Sequence, residues 1–412
     1  MRPASRAGST SPRRRLGGLA FAAVLGLAGW LPAAPAHALA YTIDTVMTGL
    51  VTPRGLAFAP DGALYVTEVG RGGGVGAPSL GSGPRAAYLG YTGAVSRLAS
   101  GVQSRVLTGL PSLANAAGAE AAGLQDIVFD PAGQAYGVFG LGSSSAARDA
   151  LGAFGAGMLG TVARLGLDGS GTVSPIADIA KHETTANPDG GAIDSNPFGL
   201  ARRADGSFVV TDAGGNSFVQ ATAAGVVTTL GVLPPETNPL PFGPPVYQSV
   251  PTGVAIGPGG NPTVGTLTGF PFPPGAAKVF AHAAGTTGVA FAGFTTIIDL
   301  DFDAAGNLYV LQISSNGLAA PGGPGTGLLI KVDGRTGQRS TIASDGLIAP
   351  GGLAIREGPR GPVFYVSNMT AGPEGGAVLR ISAVPEPAGW AMGLAGLAGL
   401  GAAVRRRRAR RA

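Results

Sequence analysis

One strand-turn-strand pattern, repeated six times, restricts this chain to very few architectures. The first copy, TPRGLAFAPDGALYVTEVG (Thr52 to Gly70), has an apolar strand (Leu56, Phe58), a Pro60-Asp61-Gly62 turn and a second strand alternating through Leu64 and Val66. Pro presets φ at the second turn position and Gly supplies the positive φ, so the turn is specified locally. Further copies begin at Gly123, Asn196, Pro251, Ile297 and Pro350, and the turn glycines Gly62, Gly133, Gly206, Gly260, Gly306 and Gly361 recur at intervals of about 46 to 73 residues. A second hairpin follows most copies, as in TVARLGLDGSGTVSPI and LIKVDGRTGQRSTI. Four strands per unit at this period predicts an all-β, six-bladed β-propeller, whose blades bury their faces only against neighbours.

The sixth unit runs out after its third strand (Ala377 to Ile381) and enters Val384-Pro385-Glu386-Pro387. Tyr41 to Met47, YTIDTVM, alternates like a strand and precedes the first hairpin. It is expected to be the outer strand of the last blade, which closes the ring and removes open sheet edges.

Residues 1–40 read as an export signal outside the fold. Arg2, Arg6 and Arg13 to Arg15 precede an apolar run from Leu16 to Leu31, followed by small-residue cleavage sites at Ala36-His37-Ala38 and Ala38-Leu39-Ala40. Both the general and the twin-arginine routes fit this n-region. The domain is expected over 41–384. Within it, 17 Lys and Arg face 22 Asp and Glu, because five of the 28 basic residues precede it and six follow residue 404. That acidic body would repel a phosphate backbone, so the high isoelectric point gives no reason to expect nucleic acid. No Cys is present, which excludes disulfides, thiolate metal sites and a Cys nucleophile.

The tail, 385–412, carries a second signal. Pro385-Glu386-Pro387 is followed by an apolar segment from Ala388 to Val404 and then Arg405 to Arg408, Arg410 and Arg411. Seventeen apolar residues are near the minimum that spans a bilayer, and the arginines favour the cytoplasmic side. The order of these parts resembles the PEP-CTERM sorting signal. That resemblance implies transient anchoring in the inner membrane and recognition, with cleavage near Pro385, by an exosortase-type enzyme. A plain C-terminal anchor is the alternative.

Antiparallel blades place the turns between strands one and two, and three and four, on one face of the disc. Here those turns are short throughout. The connections on the opposite face are long: Gly70 to Thr92, Pro111 to Ala122, Gly140 to Gly160, Lys181 to Ser195, Val232 to Val250 and Ser315 to Thr326. Binding residues concentrate on such loops. Polar residues at strand ends on that face are the candidate ligand-binding set: Arg54, Glu68, Gln125, Asp126, Asn196, Asp212, Asn216 and Asp299, with Asn368 beside them. Carboxylates converging on the axis could hold Ca²⁺ or orient a polar ligand; interblade hydrogen bonding and turn capping are the structural alternative. Asp61, Asp205 and Asp303 fall near the opposite-face turns and read as structural. His182 and His282 are isolated, and no G-x-S-x-G, phosphate loop or H-E-x-x-H is present.

The segments NPFGLARRADGSFVVTDAGGNSFVQATAAGVV, VPTGVAIGPGGNPTVGTLTGFPFPPGAAKVF and GFTTIIDLDFDAAGNLYVLQ resemble the ScyD/ScyE family. Asp212 to Asn216 and Leu267 to Phe272 are the most specific parts. The resemblance implies an exported, NHL-like six-bladed propeller and supplies no catalytic residues; the arginine-rich tail departs from the namesakes and suggests an envelope role. Two classes follow: a scaffold binding polysaccharide or protein, or a Ca²⁺-dependent hydrolase resembling the lactonase propellers.

Overall fold

The computed structural model describes residues 40–152, 155–384 and 409. Apart from Ala40 and Ala409, the expected export signal and the Pro385-Glu386-Pro387 tail lie outside these residues. Among the described residues no helix is long and apolar enough to cross a membrane.

Six antiparallel units form the ring, five of four strands and the first with a short fifth strand, Ser79–Leu80. Their inner strands are Pro53–Phe58, Leu124–Phe129, Pro197–Arg202, Pro251–Ile256, Ile297–Phe302 and Gly352–Gly358. Each touches the next, and the sixth returns to the first. The expected hairpin turn is realised in five blades. Gly62, Gly133, Gly206, Gly260 and Gly306 each donate N–H to the carbonyl three residues earlier and take φ between 80° and 88°. In four of them the residue before the glycine keeps a negative φ, as in a type I turn followed by a left-handed residue, where glycine relieves the Cβ clash; in the fourth blade Gly259 is left-handed too, at φ 92°. The sixth blade differs, with Gly358 paired directly to Gly361 across a two-residue loop.

Closure follows the sequence reading. Tyr41–Leu50 pairs antiparallel with Gly376–Ala383, from Tyr41 opposite Ala383 to Leu50 opposite Gly376. Two irregularities let Met47 and Leu50, each 1% exposed, pack with Leu56, Val66 and Val378. Between blades the core is apolar and partly aromatic: Tyr65 on Phe129 at 4.9 Å, Tyr136 on Phe208 at 5.0 Å, Tyr309 on Phe364 at 4.7 Å and Phe58 on Tyr365 at 5.1 Å. Such tilted and edge contacts add to area burial.

The long connections contain more regular structure than their composition predicts. The third and fourth strands of the first blade, Ala87–Ala99 and Val102–Ala114, extend past its other strands, so Tyr88 pairs with Ala114 inside what reads as loop. Helix α1 (Ser145–Ala150) and helix α2 (Ile179–Ala186) occupy parts of two other connections. Asp178 caps α2 by accepting from Lys181 N–H, and left-handed Asn187 ends it.

Candidate binding face and axial carboxylates

At the equivalent position of the six inner strands, third in the first five and first in the sixth, stand Gly55, Asp126, Gly199, Gly253, Asp299 and Gly352: four glycines and two aspartates. Backbones crowd here. A Cβ on Gly55 would collide with Asp126, one on Gly253 with the backbone of Asp299, and one on Gly352 with the Arg54 carbonyl. The aspartates use the space that the preceding glycines leave. Asp126 accepts from its neighbour Ile127 N–H at 2.8 Å and from Leu200 N–H of the next blade at 2.9 Å. Asp299 repeats this with Leu300 at 2.8 Å and Leu353 at 2.7 Å.

Beyond this ring, towards the short turns, lies a cavity of about 370 Å³ lined by all six inner strands. Asp126, Asp299 and Asp301 face it together with Arg202. Desolvation pushes the Asp126 carboxyl up to about 7 and holds Asp299 well above the ordinary carboxylate range, with repulsion from Asp126 adding to it; Asp301 rises to about 6, again through desolvation. Asp126 and Asp299 therefore sit at the throat, not at the long-loop rim. On the other side of the throat Phe198, Leu267 and Ile313 pack against the apolar cluster containing Ile298. Arg54 donates to the Thr370 carbonyl at 3.1 Å, its Nε has no partner, and desolvation lowers its pKa to about 10. Gln125 is buried with Oε1 unpartnered.

The other candidates close contacts within the chain. Glu68, 0% exposed, accepts from Val51 N–H, Ser96 Oγ and both Nε and Nη2 of Arg105 at 2.7–2.8 Å. Asp212 accepts from Ser195 Oγ and Asn196 N–H, each at 2.6 Å, and from Gly215 N–H at 3.2 Å. Burial nevertheless raises its carboxyl to about 6. Asn196 Oδ1 accepts from Leu141 N–H, while Asn216, at φ 46°, donates to Asp189 and accepts from Val250 N–H. Asn368 accepts from Ile348 N–H at 2.7 Å. A common logic emerges: the polar residue at the end of a second strand caps the connection entering its own blade, as Gln312 does with Thr295 N–H.

Glu68, Asp126, Asp212 and Asp299 belong to four blades, and among the described residues no three Asp, Glu or His side chains form a metal-holding group. These four do not meet as the axial Ca²⁺ cage that the alternative reading would need. Sequence reasoning passed over Glu183 on α2, which faces Asp212 across Gly215. It also passed over an aromatic row on the long-loop face. Phe242 lies 6.3 Å from Phe270, and Phe270 lies 6.2 Å from Phe272. Phe242 and Phe270 are 39% and 51% exposed.

No family model and no curated protein matches the chain. Solved structures do. A structural genomics protein of unknown function from Bacteroides thetaiotaomicron is 11% identical over 84% of this chain and 76% of its own, with TM-score 0.51. A calcium-binding protein, regucalcin, from Agrobacterium tumefaciens is 12% identical over 84% and 95%, with TM-score 0.48. Virginiamycin B lyase from Staphylococcus aureus is 11% identical over 84% and 100%, with TM-score 0.43. At these identities the likeness concerns architecture, and the chain is a six-bladed β-propeller.

Proposed function

We propose that this protein is a non-enzymatic binding module of the cell envelope, resembling the ScyD/ScyE proteins, that takes up a polysaccharide or protein on its long-loop face. Export through residues 1–40 and exosortase-type sorting through 385–412 belong to the same reading. The carrying observation is the row Phe242–Phe270–Phe272, exposed at Phe242 and Phe270 and half-buried at Phe272, contributed by two separate connections on a rigid ring. Exposed aromatic surface of this kind is costly to leave in water and serves as a stacking or docking platform.

Binding of the full-length protein to isolated envelope polysaccharide and to envelope protein extracts tests the reading. Replacing Phe242 and Phe270 together by Ala should weaken binding at least tenfold while leaving the melting temperature close to that of the parent. Unchanged binding by that variant would overturn the assignment of the face.

The alternative is a lactonase-like hydrolase with Ca²⁺ on the axis. The cavity bearing Asp126, Asp299 and Asp301 favours it. Against it, no carboxyl oxygen of Asp126, Asp299 or Asp301 is buried without a hydrogen-bond partner that a cation would replace. Calcium-dependent lactone hydrolysis lost in Asp301→Asn would establish the alternative.

A further inference from the structure

We infer that the space between α2 and the Gly214–Asn216 turn takes a hard divalent cation, Ca²⁺ or Mg²⁺, held by the carboxylates of Glu183 and Asp212. The inference does not depend on the binding role proposed above. Glu183 is 1% exposed, and neither of its carboxyl oxygens has a hydrogen-bond partner. Its Oε2 lies 2.6 Å from where a Cβ on Gly215 would sit, and the Asp212 carboxyl carbon lies 3.4 Å from the same point. The glycine is what lets the two acids approach.

Two further carboxylates border the pair: Asp189, half-buried, and Asp194, exposed. Among the described residues none of the four pairs with Lys or Arg. Lys181 on the same helix is exposed, and His182 bonds away to Thr229. Burial, then repulsion from Asp212, Asp189 and Asp194, raises the Glu183 carboxyl to about 7.

An enclosed carboxylate is stabilised by a proton, a basic side chain or a metal ion. The second is absent here. A proton alone neutralises Glu183 but leaves both oxygens without a partner, whereas a hard cation satisfies them directly. The donors are all oxygens, which suits Ca²⁺ or Mg²⁺ and not zinc. With two carboxylates rather than three, water and main-chain oxygens would complete the shell. Asp212 is already aimed by its bonds from Ser195, Asn196 and Gly215, and Asp189 and Asp194 supply negative potential on the solvent side.

The test is thermal denaturation of the full-length protein after chelation, followed by millimolar CaCl₂ or MgCl₂ at pH 7.5. A ligand that binds only the folded state should raise the melting temperature by several degrees. Glu183→Gln should abolish the rise, and Asp126→Asn on the axis should keep it. The rise should shrink at pH 5.5, where protons compete for Glu183 and Asp212. Should Glu183→Gln fail to fold, calorimetric titration of Asp189→Asn should show affinity reduced several-fold against the parent. No rise in the parent, or an equal rise in Glu183→Gln, would overturn the site, as would unaltered affinity in Asp189→Asn.

Discussion

Asp126 and Asp299 stand three blades apart and make the same two bonds, each accepting N–H from its own successor and from the following blade's inner strand. The pair joins blade two to three and blade five to six at the narrowest part of the ring. Glycine occupies the equivalent position in the other four blades, so the sixfold repeat carries a twofold pattern at its centre.

Stability should depend on pH through these groups. Asp126 and Glu183 rise to about 7 and Asp212 and Asp301 to about 6, all above the ordinary carboxylate range. A raised folded pKa means the native state holds the proton more tightly. The stabilisation is therefore complete below the unfolded value and is lost as pH climbs through the folded one. The melting temperature is expected to fall from pH 5 to pH 8, each such carboxyl costing on the order of 1–2 kcal/mol. Asp126→Asn should flatten that slope; a slope unchanged in the variant would count against the assignment.

Gly55→Ala should be among the more damaging single-methyl additions in the ring. Its Cβ would meet the Asp126 backbone, which cannot swing aside, at a cost of roughly 2–3 kcal/mol. Gly288→Ala, in an outer strand with nothing near its Cβ, should stay within about 0.5 kcal/mol. Denaturant titration of the two variants compares them directly.

Starting the chain at Thr48 removes most of the closing strand. Loss of the buried Met47 side chain alone costs about 1.5–3 kcal/mol, and the ladder to Gly376–Ala383 goes with it. The shortened protein should melt well below the parent and aggregate through the freed edge. Equal melting temperatures would mean that the closing strand adds nothing.

Mass spectrometry of the mature protein tests the proposed processing. The expected species starts after Ala38 or Ala40 and lacks the arginine block. An intact C-terminus at Ala412 in cells with an active sorting enzyme would rule out cleavage.

The ring and its closure were legible because turn glycines and alternating strands are local signals that repeat. Side-chain commitments were not. Glu68 reads as a free carboxylate at a strand end, and its Arg105 partner lies 37 residues away, in the fourth strand of the blade. Glu183 sits in a segment whose Gly, Pro and Asn content reads as open loop, although Asp178 before Ile179–Ala186 is a helix-capping signal. Aligning the inner strands on Gly55, Asp126, Gly199, Gly253, Asp299 and Gly352 would have exposed the Gly/Asp ring. The runs Asp212 to Asn216 and Leu267 to Phe272, singled out by resemblance, prove to border the buried acid pair and to carry two of the three phenylalanines.

Val384 donates its N–H to the Ala40 carbonyl at 2.8 Å, so the chain enters and leaves the ring side by side on the short-turn face. Pulling the two ends apart would load the seam as a zipper, opening Tyr41 from Ala383 first and the remaining pairs one after another. A pull on one end alone never crosses that seam in this way. A propeller tethered only through its C-terminal end would keep its ring shut under drag and turn its long loops, with Phe242 and Phe270, away from the point of attachment.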